Sequence, residues 1–312
     1  MKTSKGCILI TPRSLSKEGH PALLALEEAG FTIRIPWPGK QPDEQQLLEE
    51  LPSCVGYLAG VEPISEKVLV AAKNLKIISR NGVGIDNIDL KAAQRLNIAV
   101  IGTPGANSQS VAELALTLML DTLRSVSWSN KTLKQGSWSR KIGSEIQGKV
   151  LGIVGCGNIG QRLARMAIGI GMNVIGYDIY QNEDLRQTSG FTYVQLDYLL
   201  SNSDVISLHC PPGEKPLLDK DVLDTVRKGV AIINTARAAL IDRASMVKAL
   251  DAGLVGSYAT DVFEKEPVEL DELYSHEKVI LTPHIGGFTK ESVERSTVAA
   301  VNNIVRYFEE NN

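Results

Sequence analysis

Residues Val150 to Asp178 constrain this chain more than any other stretch. They read V-L-G-I-V-G-C-G-N-I-G-Q-R-L-A-R-M-A-I-G-I-G-M-N-V-I-G-Y-D. A short apolar run, Val150 to Val154, reads as a buried strand, and glycines 155, 157 and 160 follow at G-x-G-x-x-G spacing. A helical pattern with Ile159, Leu163 and Met166 comes next, Gly171 closes it, and a second apolar strand runs to Tyr177 and ends on Asp178. Gly155 allows the tight turn, Gly157 lets backbone approach a pyrophosphate, and Gly160 lets the helix pack close to the strand. Free N–H groups and the dipole at the helix start then hold phosphates. Asp178 selects the coenzyme. Its carboxylate accepts from ribose hydroxyls and repels a 2′-phosphate, an unfavourable contact of about 4 kcal/mol at 4 Å and an effective dielectric of 20. Ile179 and Tyr180 supply no arginine to offset it. NAD is the expected coenzyme.

The 312 residues are too many for one ordinary core, so two domains are expected. Strand and helix patterns alternate from the start. Strands are read at Cys7–Ile10, Phe31–Ile35, Val55–Ala59, Lys76–Ser79 and Ile98–Ile101, with helices over 21–29, 44–51, from Ser65, and 90–96. This βαβα order predicts an α/β fold of two Rossmann-like or flavodoxin-like lobes, each a doubly wound parallel sheet. The first lobe lacks the phosphate-binding glycines. Gly102–Gly105 (G-T-P-G) is a breaker cluster and a candidate hinge. The helix over 107–123 is greasy nearly all round, which predicts burial between domains or subunits. Trp128 and Trp138 follow it, suited either to a subunit contact or to packing on the chain's own surface. Later strands are read at Val205–Leu208, Val230–Asn234, Val255–Ala259 and Val279–Leu281, and a last helix over 291–307 is expected to pack back on the first lobe.

A net charge of −3 gives no nucleic-acid footprint or basic membrane face. The N-terminal apolar run is too short for a signal peptide, and no later run approaches a membrane span. Four scattered cysteines carry no metal-ligand or redox spacing, so no metal and a reducing cytoplasm are expected.

Ligands of open α/β sheets gather at the carboxyl ends of strands. Arg80–Gly84, His209, Arg237, Asp261 and His284 all fall at such ends. Hydride transfer to a 2-oxo acid needs a cation for the carboxylate and carbonyl, a proton donor, and a group that tunes that donor. Arg237 suits the first role with its planar fork, His284 the second, and Glu266 the third by pairing with the imidazole. Taken singly, each is as readily a surface ion pair or a structural strand-end residue.

The chain resembles the D-isomer-specific 2-hydroxyacid dehydrogenases, in their 3-phosphoglycerate dehydrogenase-like branch. The resemblance rests on S-R-N-G-V-G-I-D-N-I-D at 79–89, T-P-G-A-N-S-Q-S-V-A-E-L at 103–114, the glycines at 155–160, N-T-A-R at 234–237, D-V-F-E-K-E-P at 261–267 and T-P-H-I-G-G at 282–287. It implies Arg237 as the substrate-binding arginine, Glu266 as the histidine's partner and His284 as general acid/base, with backbone amides at Val83 and Gly84 on the substrate carboxylate. It also implies Gly155, Gly157, Asn158, Ile159, Gly160 and Asp178 on the NAD phosphates and ribose, His209 and Pro211 along the adenosine, Asp261 beside the nicotinamide amide, and Ala236 and Gly286 as further cofactor contacts. A discontinuous substrate domain (1–101 and 285–312) flanking an NAD-binding domain (102–284), and a homodimer built on the latter, follow from the same likeness.

Three departures bear on substrate. Ala238 and Ala239 stand where the family usually has glycine, and H-C-P-P-G at 209–213 replaces the usual H-x-P-x-T. Phosphoglycerate dehydrogenases proper carry an arginine-containing stretch after the third strand, where this chain reads A-G-V-E-P-I-S with Glu62. The expected activity is therefore NAD-dependent hydride exchange with a 2-oxo or D-2-hydroxy acid, 3-phosphoglycerate dehydrogenase-like in lineage. Glyoxylate, hydroxypyruvate, D-lactate and sulfolactate are alternative substrates. A corepressor-like scaffold gated by NADH is the alternative from another class. Glu266 argues against formate dehydrogenase, which pairs its histidine with glutamine.

Overall fold

Period-two alternation of apolar residues decides both sheets, because each strand has to satisfy two covered faces. The computed structural model describes residues 5–311; Met1–Ser4, within the stretch read above as no signal peptide, lie outside the described residues. Two compact units are present, Met1–Asn107 with Thr289–Asn312, and Ser108–Phe288.

The first unit holds five parallel strands: β1 (Cys7–Ile10), β2 (Thr32–Arg34), β3 (Cys54–Ala59), β4 (Ile77–Arg80) and β5 (Ala99–Ile101), in the order β2-β1-β3-β4-β5. Ile8, Ile10, Leu58 and Ile77 face one side, where Ala300, Val301 and Ile304 of helix Lys290–Glu310 cover them. Leu9, Tyr57, Ala59 and Ile78 face the other. Ser79 and Asn303 stitch this last helix to the sheet: the Ser79 hydroxyl donates to the Ala300 carbonyl at 2.8 Å, and the Asn303 amide donates to the Gly102 carbonyl at 3.0 Å.

The second unit holds seven parallel strands: β6 (Val150–Val154), β7 (Asn173–Tyr177), β8 (Phe191–Tyr193), β9 (Val205–Leu208), β10 (Val230–Asn234), β11 (Val255–Thr260) and β12 (Val279–Leu281). Their order, β12-β11-β10-β9-β6-β7-β8, reverses direction of build between β6 and β9. That reversal is the switch point where open sheets bind ligands, and the order is that of dinucleotide-binding sheets. Leu151, Ile153, Ala231 and Ile233 point to one face, and Val154, Ile206, Leu208 and Ile232 to the other.

One strand is absent from the sequence reading. Strand β8 is not visible in the pattern, because three residues with one threonine at a sheet edge give too short an alternation to register. Helix Ser108–Arg124 places part of its apolar surface in the core of its own unit. Ala112, Ala115, Leu118 and Met119 enter the core of its own unit, while Glu113, Thr117 and Leu120 are exposed. Its small residues let it lie close to helix Asn158–Gly169 and strand β10, so one greasy face is spent inside the unit.

Candidate active site

The three glycines of the fingerprint separate physically. Gly155 turns at φ +96°, and a Cβ there would lie 2.6 Å from the backbone of His209 and Cys210, so no side chain fits. A Cβ on Gly160 would meet the Gly155 carbonyl oxygen at 2.2 Å, which fixes how closely helix Asn158–Gly169 follows the turn. Nothing lies within 4 Å of the corresponding position on Gly157. That open face beside the exposed start of the helix is the cradle a pyrophosphate needs, so the residues present fit a dinucleotide. Asn158 and Ile159 are the first two helical residues.

Asp178, leaving β7, stands against this turn. Its carboxylate accepts from the Cys156 amide at 2.6 Å and from the Tyr180 amide at 2.9 Å. Burial, and then Asp178, push the Cys156 thiol up to about 12, so the thiol inside the turn is neutral and inert. His209 leaves β9 across the switch point. Its Nε2 pairs with the Ser207 hydroxyl at 2.9 Å, while its buried Nδ1 meets no partner among the described residues. Burial lowers this imidazole to about 4, which keeps it uncharged. Pro211 is exposed just beyond.

Arg237, Glu266 and His284 follow the carboxyl ends of β10, β11 and β12, three neighbouring strands of one sheet. His284 Nδ1 lies 2.7 Å and 2.9 Å from the two Glu266 oxygens. This pairing leaves Nε2 as the nitrogen for other work. The Phe263 amide also donates to Glu266, at 3.4 Å, and a cis bond joins Glu266 to Pro267. Arg237 is half-buried, and its guanidinium donates to the Ala236 carbonyl at 2.7 Å.

Two residues build this site from behind. Fully buried Asn234 accepts from the Ala236 amide at 3.1 Å and donates to the Arg237 carbonyl at 2.9 Å, which shapes the N-T-A-R turn. Asp261 is 2% exposed, and its carboxylate accepts from the Thr282 hydroxyl at 2.6 Å, the Ile285 amide at 2.8 Å and the Gly286 amide at 2.7 Å. These donors bracket His284, which is held at φ +52°, a conformation rare outside glycine and asparagine. The strand-end position of Asn234 and the T-P-H run were the available signals for these supports, but neither spacing reveals the clasp. Ala238 is buried without positive φ, so it departs from glycine with no backbone strain; Ala239 is exposed.

In the other unit, Val83 is exposed and Gly84 half-buried in the turn after β4. Glu62, after β3, is turned inward and is 1% exposed. The Thr11 hydroxyl, the Tyr57 hydroxyl (2.5 Å) and the Gly60 amide (2.8 Å) all donate to its Oε1. Burial first, and the Glu62 carboxylate second, push the Tyr57 phenol well above its usual range, so it stays a donor. No helix among the described residues is long and apolar enough to cross a membrane.

A parallel sheet wound in this order, with a glycine turn at its switch point and an acid at the end of the next strand, defines an α/β protein of the dinucleotide-binding class. The sequence profile of the D-isomer specific 2-hydroxyacid dehydrogenase NAD binding domain matches residues 116–286. The chain belongs to the D-isomer-specific 2-hydroxyacid dehydrogenase family, in its phosphoglycerate dehydrogenase-like branch. It is 37% identical over 302 residues to a hydroxypyruvate reductase of Thermotoga maritima, covering 94% of this chain and 95% of that one. It is also 37% identical over 254 residues to a D-3-phosphoglycerate dehydrogenase of Archaeoglobus fulgidus, covering 80% of this chain. The match spans only 48% of that relative, about half its length. The TT0316 protein of Thermus thermophilus superposes with a TM-score of 0.87 at 31% identity, over 97% of both chains.

Proposed function

We propose that the protein is an NAD-dependent dehydrogenase that interconverts a 2-oxo acid and its D-2-hydroxy acid. The observation that carries this reading is the His284–Glu266 pair at 2.7 Å, one strand over from the end that bears Arg237. The glycine turn, the helix start at Asn158–Ile159 and Asp178 would hold the coenzyme, with His209 and Pro211 on its adenosine side and Ala236, Asp261 and Gly286 toward its nicotinamide. Bound there, the coenzyme supplies or accepts the hydride. Arg237 binds the substrate carboxylate and draws charge onto the carbonyl oxygen; the amides of Val83 and Gly84 are the substrate contacts proposed for the first unit. His284 delivers a proton from Nε2 to that oxygen and removes it in the reverse direction. Glu266 holds Nδ1 so that the imidazole keeps its aim and presents Nε2 to the substrate.

A second copy of the chain is proposed to pair through the nucleotide unit, where Trp138 is 84% exposed and Ile142 fully so.

Absorbance at the NADH band with a panel of 2-oxo acids tests the reading. Arg237→Ala and His284→Ala are each expected to lower turnover by about 100-fold or more with NADH affinity intact. Near-wild-type rates in either variant, or NADH binding without turnover of any acid, overturn it.

A further inference from the structure

Glu266 stands on the connection between β11 and β12, residues 261–278, which holds neither helix nor strand. Connections longer than about 12–15 residues without regular structure are uncommon, and their path has to be fixed by side chains. The rings of Phe263 and Tyr274 meet edge-on, centroids 5.1 Å apart, and close the base of this one. Beyond that contact Glu264, Lys265, Glu266 and Pro267 are all exposed. Helix Arg243–Asp251 backs the connection from both of its ends. At the far end the Leu250 carbonyl accepts from the Lys278 ammonium. At the start, Arg243 reaches the half that bears Glu266. One guanidinium nitrogen donates to Glu264 at 3.0 Å, and the other pairs with Asp271. The same guanidinium lies 4.7 Å over the Tyr274 ring, whose hydroxyl donates to Glu264 at 2.8 Å. Burial first, and then Glu264, push that phenol above its usual range, so it stays a donor. A single cation thus joins both limbs of the connection, two residues from Glu266 on one of them. Arg243 also opens the helix that follows Arg237 on the chain leaving β10, so it links the strand end carrying Arg237 to the one carrying Glu266.

We propose that Arg243 is a positioning residue for the acid/base pair: by clamping Glu264 and Asp271 it holds Glu266 against His284 Nδ1 and in register with Arg237. The inference rests on the dehydrogenase reading above for what that pair does. Arg243 is 35% exposed and its partners 40% and 44%, and ion pairs so placed contribute little to folding. Their main effect is on geometry. A neutral imidazole whose Nδ1 faces a carboxylate carries its proton there, which leaves Nε2 as the acceptor. Freed from the carboxylate, it returns toward the Nε2–H form that imidazoles favour in water.

Arg243→Met keeps the stem over Tyr274 and removes the guanidinium, whereas Arg243→Lys keeps the charge and loses the fork. Nitrogen-15 spectra of histidine-labelled full-length protein at alkaline pH, with His284→Ala assigning the signals, report which nitrogen of His284 carries the proton. Wild type is expected to hold it on Nδ1, Arg243→Met to move it toward Nε2, and Arg243→Lys to lie between. In NADH consumption with an accepted 2-oxo acid, Arg243→Met is expected to lose about tenfold or more in kcat, with KM and NADH affinity within about twofold. Wild-type turnover in Arg243→Met overturns the proposal, and so does lowered turnover with the tautomer unmoved, which a merely structural role would give. Wild-type His284 with its proton on Nε2 overturns it as well. Should Arg243→Met not fold, Glu264→Gln, which cuts one arm of the clamp and keeps an acceptor for Tyr274, decides on the same two measurements. A tautomer shift in a protein whose wild type consumes NADH with no 2-oxo acid would refute the dehydrogenase reading and leave the clamp standing.

Discussion

Asp261→Asn is the most informative single change, because one carboxylate holds three donors around a strained histidine. Oδ1 accepts from the Thr282 hydroxyl and the Ile285 amide, and Oδ2 accepts from the Gly286 amide. An asparagine has to place its NH₂ at one of these positions. The cheaper orientation puts it at Oδ2, where it confronts only the Gly286 N–H. That loses one charge-assisted hydrogen bond, about 1.5–3 kcal/mol, and leaves a buried donor unsatisfied, about 1–3 kcal/mol more. A cost of roughly 2.5–6 kcal/mol lowers Tm by roughly 5–24 °C in a unit of this size. His284 then loses the bracket that keeps it at φ +52°. A misplacement near 1 Å lowers turnover about 100-fold. Thermal unfolding and NADH consumption read the two effects. Thr282→Val removes one donor without altering the carboxylate, and is expected to show a smaller loss in both. A Tm within about 1 °C of wild type together with normal turnover in Asp261→Asn would show that the clasp does not position the histidine.

Further outcomes are expected elsewhere in the nucleotide unit. Asp178→Asn keeps an acceptor for the Cys156 amide and removes the charge, so preference for NADH over NADPH should narrow by at least about tenfold, read from the two Kd values. Gly157→Val should leave unfolding unchanged and weaken NADH binding, whereas Gly160→Val should lower Tm, since its Cβ meets the Gly155 carbonyl; a stable Gly160→Val protein would contradict that packing. His209 is uncharged in the fold down to about pH 4, against an ordinary value of 6.5. The unfolded chain therefore binds the extra proton first. Its stabilising contribution is complete above pH 6.5 and is lost as pH falls to about 4, roughly 3 kcal/mol in all. Urea midpoints at pH 7 and 4.5 should fall further in wild type than in His209→Asn.

Much of this was legible in the chain because the governing signals are local. The strand-turn-helix-strand run to Asp178 carries its own periodicity and its own glycines, and both are found in the nucleotide unit. Arg237 and His284 stood out as polar groups at strand ends, with Glu266 read as the histidine's partner, and strand order then makes those ends neighbours. Side-chain destinations were less legible. Asp261 read as a residue beside the nicotinamide; that its carboxylate also gathers three of the protein's own donors around His284 emerges only in the fold. Glu62 read as an acid where a cation would help; that Thr11 and Tyr57, brought together from separate strands, draw it inward is a property of the β1–β3 pairing. Helix Ser108–Arg124 looked uniformly apolar because alanine and leucine score alike, although alanines 112 and 115 are there to allow close approach.

Helix Lys290–Glu310 completes the unit that Cys7 begins. During synthesis, Ile8, Leu58 and Ile77 emerge from the ribosome long before Ala300, Val301 and Ile304, which cover them. The intervening stretch, Ser108–Phe288, carries a full core of its own and is available to fold in that interval. The earliest-made lobe is thus the last to be sealed, and its bare sheet face is what a chaperone would meet on the nascent polypeptide.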